Sequence, residues 1–257
     1  MKFIFFFTLV LLNFISCGEE EERPEQLDRL RVIGVKTNPP VIIFDDLSSI
    51  TDFELEALVS VPKDDEIIDQ INFVDDSFLF TQTIDIVWNE PVFLEEFSNL
   101  NLYLIKGKID LDSLQDNQQY PDLNNDKLEE ISSYIFRYGL EVKTQNDNEI
   151  VVGNFIVSLT ENEYQNQSFN IDITNPIDES DYNKEEEIEI KMNLEKSVEE
   201  EVKVIWFTSE GKIENPRSKE TLLTTGTGEG KHLVLVGTYG KFGYLFNYDF
   251  VSINVLP

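Results

Sequence analysis

Cysteine, histidine and basic side chains are scarce in this chain. Its 257 residues include one Cys, one His and 20 Lys or Arg against 50 Asp or Glu. One cysteine excludes an internal disulfide, so the stability of the fold has to come from burial. The net charge of −30 weighs against nucleic acid, polyphosphate ligands or an anionic lipid surface as partners. One His and one Cys are also too few for a structural zinc site, so we expect no metal and no cofactor.

The catalytic inventory is equally sparse. His232 lies at the start of an apolar strand, and no Ser/His/Asp or Cys/His arrangement can be assembled around it from spacing, so we expect a structural role. The glycine-rich residues 226–230 lack the Lys-Ser/Thr of a phosphate loop and are better interpreted as a hairpin connection. The sequence therefore predicts a protein that is not an enzyme and has no catalytic residues.

Calcium binding stays an open alternative at one acidic loop. Asp122, Asn124 and Asp126 place oxygen ligands at alternate positions. An EF-hand needs Gly at the sixth position and Glu at the twelfth, where this chain has Lys127 and Ser133. A polar surface loop is the favoured interpretation.

The N-terminus carries an export signal. Residues 3–12 follow Met1-Lys2 and contain only Thr8 as a polar residue, a run too short to span a bilayer. Ser16 then precedes Cys17, a pattern that resembles a bacterial lipoprotein signal (residues 1–16) with Cys17 as the lipidated N-terminus. The alternative is an ordinary cleaved signal that leaves one free thiol. The resemblance implies palmitate and other acyl chains on Cys17, which make the lipid bilayer a partner.

Location follows from the residues after the cysteine. Gly18 is not the Asp that resembles an inner-membrane retention signal, so the outer membrane is favoured. Residues 19–22 are four glutamates, similar to the acidic run of some surface-displayed lipoproteins, although a solvated spacer is the simpler interpretation. We assign residues 17–26 to an acidic tether in the cell envelope, facing the periplasm or the surface.

Beyond the tether, alternating patterns predict strands. Hydrophobic residues make up 41% of the chain, enough for a packed core. Period-two alternation around Leu30, Leu55 and Ile86 indicates half-buried strands. Apolar spacings from Leu128 to Tyr138, closed by Gly139, predict one short helix. Residues 140–143 and 150–159 then form a predicted hairpin.

The pattern repeats along the chain. Asn175-Pro176 corresponds to Asn38-Pro39, the strand at residues 187–192 to the one near Leu55, and the Trp206 strand to the Trp88 strand. Such order favours two similar β-sandwiches. We predict an all-β fold with immunoglobulin-like antiparallel sandwiches at 27–160 and 175–257, a short helical insertion in the first, and a linker at 161–174.

A family resemblance agrees with this division. The chain resembles uncharacterised Gram-negative lipoproteins with tandem immunoglobulin-like domains. The residues that carry the likeness are Leu30-Arg31-Val32-Ile33-Gly34-Val35-Lys36, Pro39-Pro40, Asn175-Pro176, Trp206-Phe207-Thr208-Ser209-Glu210-Gly211 and Arg217-Ser218. The chain departs from the family's Asp-Gly-Arg-Gly-Gly-like closing turn at residues 239–243. The resemblance implies fold and location, and no activity.

The last strand poses a parity problem. Tyr244, Phe246, Tyr248 and Phe250 share one face, whereas Val251, Ile253 and Val255 have the opposite parity. A regular strand cannot place both sets in one core. Either a bulge near residues 249–251 shifts the register, which we favour, or the aromatic stripe lies outside as a binding face.

Two functions remain. The first is a membrane-anchored, non-catalytic binding or structural module for an envelope protein, a glycan or a cell-surface ligand. The alternative is an extracytoplasmic hydrolase, for example of glycans, with a carboxylate pair that composition cannot single out.

Overall fold

The computed structural model describes residues 25–38, 41–43, 54–73, 86–109, 133–158, 170–194, 202–240 and 246–257. Regular structure in these ranges consists of β-strands. The predicted helix is wrong where it can be compared, because Ile135, Tyr138 and Gly139 lie in strand β8 (Ser133–Thr144). Tyr134, Ile135 and Phe136 have strong strand propensity, and β8 is paired with β9 along most of its length. Leu128 lies outside the described residues.

The first sandwich contains two sheets. One has the order β1-β3-β7-β5, with β6 also paired with β7, and the other has the order β2-β9-β8-β4. Among the described strands of this sandwich, only β2 pairs in parallel, with β9. The strands are β1 (Arg31–Asn38), β2 (Val41–Ile43), β3 (Glu54–Pro62), β4 (Ile67–Phe73), β5 (Ile86–Trp88), β6 (Val92–Glu96), β7 (Leu100–Ile109), β8 (Ser133–Thr144) and β9 (Asn148–Ser158). The β8–β9 hairpin confirms the one predicted from the sequence.

The second sandwich repeats this topology. Its sheets have the orders β10-β12-β15-β14 and β11-β17-β16-β13, and β11 again runs parallel to β17. The strands are β10 (Ile171–Asn175), β11 (Ser180–Tyr182), β12 (Glu187–Leu194), β13 (Val202–Thr208), β14 (Lys212–Ile213), β15 (Glu220–Thr224), β16 (Gly230–Gly240) and β17 (Phe246–Val255). Two immunoglobulin-like sandwiches in tandem are therefore the architecture. Strand β10 starts at Ile171, within the range predicted as linker.

The internal repeat confirms part of the predicted correspondence and corrects the rest. Strands β1 and β10 both end at an asparagine, Asn38 and Asn175, and β3 matches β12. The tryptophans do not correspond. Trp206 lies in β13, whose topological counterpart is β4, whereas Trp88 lies in the outer strand β5. Order along the sequence misaligned them because the alternating pattern did not identify β4, the strand between β3 and β5.

The core of the second sandwich lies between its sheets. Trp206 is fully buried there and donates its indole N–H to the carbonyl of Ser218 at 2.7 Å, which satisfies the polar atom of a large apolar side chain. The other core members are Ile171, Ile173, Ile188, Ile190, Met192, Val204, Ile213, Leu223, Val234, Val236, Val251 and Ile253.

Both faces of strand β3 are buried over its second half. Leu55, Ala57, Val59 and Val61 alternate on one face with 0% exposure, while Leu58 and Ser60 on the other face are also 0% exposed. A sheet in a lone sandwich has one face towards the core and one towards solvent. The second buried face of β3 therefore needs a third layer.

The first strand of each sandwich contains a β-bulge, and in each strand a backbone N–H at the bulge donates to a carboxylate. The register shifts between Val32 and Gly34 in β1, and between Ile173 and Asn175 in β10. Val32 N–H donates to Glu149 Oε2 at 2.6 Å, and Ile173 N–H donates to Asp249 Oδ2 at 2.7 Å. Burial raises the pKa of both carboxyls, and the backbone hydrogen bonds partly offset that rise. Each bulge thus exchanges a ladder hydrogen bond for one to a carboxylate of the last strand.

Candidate functional site

The two sandwiches meet in an apolar contact, here called the joint. The first sandwich contributes the outer face of the β3–β7 sheet, and the second contributes the outer face of the β16–β17 sheet. Its buried members are Leu27, Ile33, Leu58, Phe97, Leu100, Leu102, Phe207, Leu233 and Leu235. The second sandwich is therefore the third layer over β3.

Two members of the predicted aromatic stripe, Tyr248 and Phe250, belong to the joint. The β16–β17 ladder runs without a shift from Gly230–Val255 to Tyr239–Phe246, so the predicted bulge is wrong. Val251 and Ile253 face the core of the second sandwich, whereas Tyr248 and Phe250 pack on the joint. Both parities are apolar because both faces of β17 are covered by protein, an arrangement that neither predicted alternative included. Tyr244 lies outside the described residues, and Phe246 is described by its backbone alone.

Two tyrosines lie at the joint, where burial shifts the pKa of each hydroxyl. The hydroxyl of Tyr239 donates to the carbonyl of Ile33 at 2.6 Å, across the two sandwiches. Burial raises the pKa of Tyr248 to about 12, with a smaller contribution from the charge of Glu56. Burial also raises the pKa of Tyr239. Both hydroxyls stay protonated, and that of Tyr239 serves as a hydrogen-bond donor.

Polar groups close one end of the joint. Ser98 N–H donates to the carbonyl of Lys231 at 2.8 Å, and the side-chain amide of Asn99 donates to the carbonyl of Ser209 at 2.7 Å. Lys231 forms an ion pair with Glu95 and lies 5.9 Å from the centre of the Phe97 ring. The hydrogen bond and charge of Glu95 raise the pKa of Lys231. This end of the joint therefore combines apolar packing with hydrogen bonds and an ion pair, which depend on the relative orientation of the two sandwiches.

Gly230 is required at this end for two reasons. Its φ of 107° is unfavourable for residues with a Cβ atom, and a Cβ there would lie 2.6 Å from Ser98 Oγ. Gly230 therefore serves the approach of the two sandwiches. The predicted hairpin connection is wrong, because residues 226–230 join β15 to β16, which lie in different sheets of the second sandwich.

Residues 25–30, here called the strap, also belong to the joint. Leu27 N–H donates to the carbonyl of Thr208 at 2.8 Å, and Thr208 N–H donates to the carbonyl of Glu25 at 3.0 Å. Gln26 and Thr208 form a parallel bridge, so the strap adds to the edge of β13. Leu27 is 1% exposed and Leu30 is 2% exposed. The segment predicted to begin the first sandwich is therefore bound to the second.

His232 is enclosed in the second sandwich. It is 1% exposed, and its Nδ1 lies 3.6 Å from Glu210 Oε2. Glu210 in turn accepts the Gly228 N–H at 2.7 Å. Burial lowers the pKa of His232, and the Glu210 carboxylate opposes that shift. An imidazole in this position does not meet a dissolved substrate, which agrees with the predicted structural role.

Other predicted sites lie outside the described residues. They include Cys17 and the acidic loop with Asp122, Asn124 and Asp126. Among the described residues, no group of three or more His, Cys, Asp or Glu side chains is placed to hold a metal ion. The same part of the chain contains no helix with the length and apolarity to cross a bilayer.

The sequence reasoning missed the joint, although β3 carried a signal for it. Ala57, Leu58 and Val59 are consecutive apolar residues, which depart from the alternation of a half-buried strand. The exposed apolar side chains of the first sandwich were also missed. Val87, Val92 and Phe93 on β5 and β6 are 67%, 52% and 53% exposed, and Phe93 meets Tyr103 edge to face at 5.8 Å.

No protein-family model matches the chain. No curated protein matches it either. Among solved structures, the tandem immunoglobulin repeats of Dlar are 10% identical with a TM-score of 0.31, over 89% of this chain and 98% of that one. The fibronectin(III)-like modules of Clostridium thermocellum CbhA are 11% identical with a TM-score of 0.29, over 86% and 93%.

A nucleoside hydrolase-related hypothetical protein from Saccharophagus degradans is 14% identical with a TM-score of 0.26. That match covers 34% of this chain and 25% of the other, so this chain spans a quarter of its length. Such low identities and TM-scores carry no argument about function. The fold assignment rests on the strand topology.

Proposed function

We propose that this chain is a lipid-anchored envelope protein in which two immunoglobulin-like sandwiches act as one non-catalytic structural or binding module. The observation that carries the proposal is the joint. It covers Tyr248 and Phe250 of β17 and the outer face of β3, and it is bordered by hydrogen bonds between the sandwiches. A contact of this kind holds the two sandwiches in one orientation, which suits a spacer or a scaffold for recognition loops.

The stripe is, on this proposal, a binding face that is used within the molecule. Tyr248 and Phe250 pack against the first sandwich, as an aromatic patch would pack against a separate partner. An envelope protein, a glycan or a cell-surface ligand then meets other surfaces. The exposed apolar side chains of Val87, Val92 and Phe93 are the first positions to examine for a protein partner.

The anchor part of the proposal rests on Cys17 and the signal ahead of it. Two or more acyl chains, at about 0.8 kcal/mol per buried CH₂, give stable attachment to a bilayer. The resemblance to Gram-negative lipoproteins and the residue Gly18 favour the outer membrane. The overall negative charge leaves the acyl chains, and not electrostatic attraction, as the source of membrane affinity.

The decisive test is metabolic labelling with an alkyne-palmitate in a Gram-negative host. We expect the wild-type chain to incorporate label and to stay with membranes in a carbonate wash, and the Cys17→Ala variant to lose both properties. Ser16→Ala is the matched control, because it keeps a small residue ahead of the cysteine. A Cys17→Ala variant that still pellets with carbonate-washed membranes would contradict the anchor.

A further inference from the structure

The position of the strap decides which part of the molecule lies near a membrane. The order of the sequence, with the tether before the first sandwich, suggests a molecule whose first sandwich is next to the bilayer and whose second projects away. The strap contradicts that simple order. Residues 25–27 lie on the edge of β13 in the second sandwich before the chain enters β1 of the first at Arg31.

Three contacts hold the strap in that place. The two hydrogen bonds between Leu27, Thr208 and Glu25 fix the backbone, at 2.8 and 3.0 Å. The Leu27 side chain is 1% exposed and belongs to the same cluster as Phe207 and Leu233 of the second sandwich. Asp28 next to it is exposed, so the attachment depends on Leu27 and on the backbone.

The length of the tether limits how far the joint can lie from the bilayer. Cys17 precedes Glu25 by about eight residues, and a fully extended chain spans at most about 3.5 Å per residue, so the tether reaches about 28 Å. The bridge between Gln26 and Thr208 places this end of the strap at the last residue of β13.

We propose that the anchored end of the chain leaves the molecule at the joint, from the edge of β13. The second sandwich then lies as near to the bilayer as the first. This inference rests on the proposed acylation of Cys17. The partner of this side of the molecule is a lipid surface of neutral headgroups, because a chain of net charge −30 is repelled by anionic lipid. The outer ends of both sandwiches remain available for recognition.

The test uses the only thiol of the chain and needs no acyl group. The chain that begins at Cys17 is labelled there with a nitroxide, and paramagnetic relaxation of the backbone amide signals is measured by NMR. We expect the strongest relaxation in β13 and β14 of the second sandwich. Relaxation centred on Arg31 and its β3 partner Ser60, with β13 unaffected, would overturn the proposal.

Variants of the strap separate docking from folding. Leu27→Ser should remove the relaxation from β13 and β14, while Leu27→Met, which conserves volume, and Asp28→Ala, at an exposed position, should keep it. Retention of the β13 pattern in Leu27→Ser would also count against the strap. Because the nitroxide measurement is independent of acylation, a chain that takes no palmitate in cells leaves its result intact. The two proposals can therefore fail separately.

Discussion

Leu58 offers the sharpest test of the joint, because the same strand provides its control. Leu58 is 0% exposed in the joint, and Leu55 is 0% exposed on the opposite face of β3. Changing either leucine to alanine removes the same atoms from equally buried sites. Such a change costs about 2 to 5 kcal/mol of unfolding free energy. At a loss of about 3 kcal/mol, the melting temperature of a cooperative unit of this size falls by about 6 to 12 °C.

The two variants should differ in cooperativity and not only in stability. Leu55→Ala weakens the first sandwich while the joint stays intact, so both sandwiches should still unfold together at a lower urea concentration. Leu58→Ala weakens the contact between them, so their unfolding midpoints should separate, and the apparent m-value should fall because each step exposes less surface. Pulse-labelled hydrogen exchange along a urea series measures both sandwiches, through peptides from β3 and β7 and from β12 and β15.

Two results would refute this reasoning. One is a wild-type chain whose sandwiches already unfold at separate midpoints, which would show that the joint contributes little coupling. The other is a Leu58→Ala variant whose midpoints stay coincident and shift as far as those of Leu55→Ala.

The remaining predictions concern ionisable groups. His232 should titrate below its ordinary pKa of 6.5, because burial lowers the pKa, and the NMR signal of the only imidazole in the chain can follow this titration. Wild-type stability, measured by urea unfolding, should therefore fall as the pH drops through 6.5. The fall should be smaller in the His232→Gln variant. Glu149→Gln and Asp249→Asn should each stabilise the protein at pH 7, because the amide oxygen still accepts the N–H of Val32 or Ile173 and no charge is buried. The gain in stability from Glu149→Gln should disappear below pH 4.5, the ordinary pKa, since a carboxyl with a raised pKa is protonated there in both the folded and the unfolded state. Glu149→Ala leaves the Val32 amide without that acceptor and should instead cost about 1 to 3 kcal/mol of unfolding free energy. Equal stability of the Gln and Ala variants at pH 7 would contradict this account.

Strand positions and the tandem repeat were predictable from the sequence, because a half-buried strand alternates with period two. That pattern located β3, the β8–β9 hairpin and β12. It failed at residues 133–139, where apolar spacings compatible with a helix turned out to belong to a strand whose pairing with β9 overrides local periodicity. It also misaligned Trp88 with Trp206, since counting strands cannot reveal which sheet each one joins.

The joint could not be predicted from the same pattern. Alternation tells which residues share a face, and it does not tell what covers that face. For β17 the parity conflict between Phe250 and Val251 was visible, but its cause, burial on both faces, depends on a contact between distant parts of the chain. The pairing of Leu27 with Thr208 is of the same kind, because two backbone groups carry no sequence signal.

The strap also has a consequence for the order of folding. Leu27 is synthesised well before its partner Thr208, which lies about 180 residues further along the chain. Contacts of such large separation along the chain form late, because the intervening loop has to be closed first. Until β13 and β16 exist, the apolar face with Leu58, Leu100 and Leu102 has no cover, and it is open to association with other chains. A first sandwich that forms alone therefore depends on rapid completion of the second sandwich to cover that face.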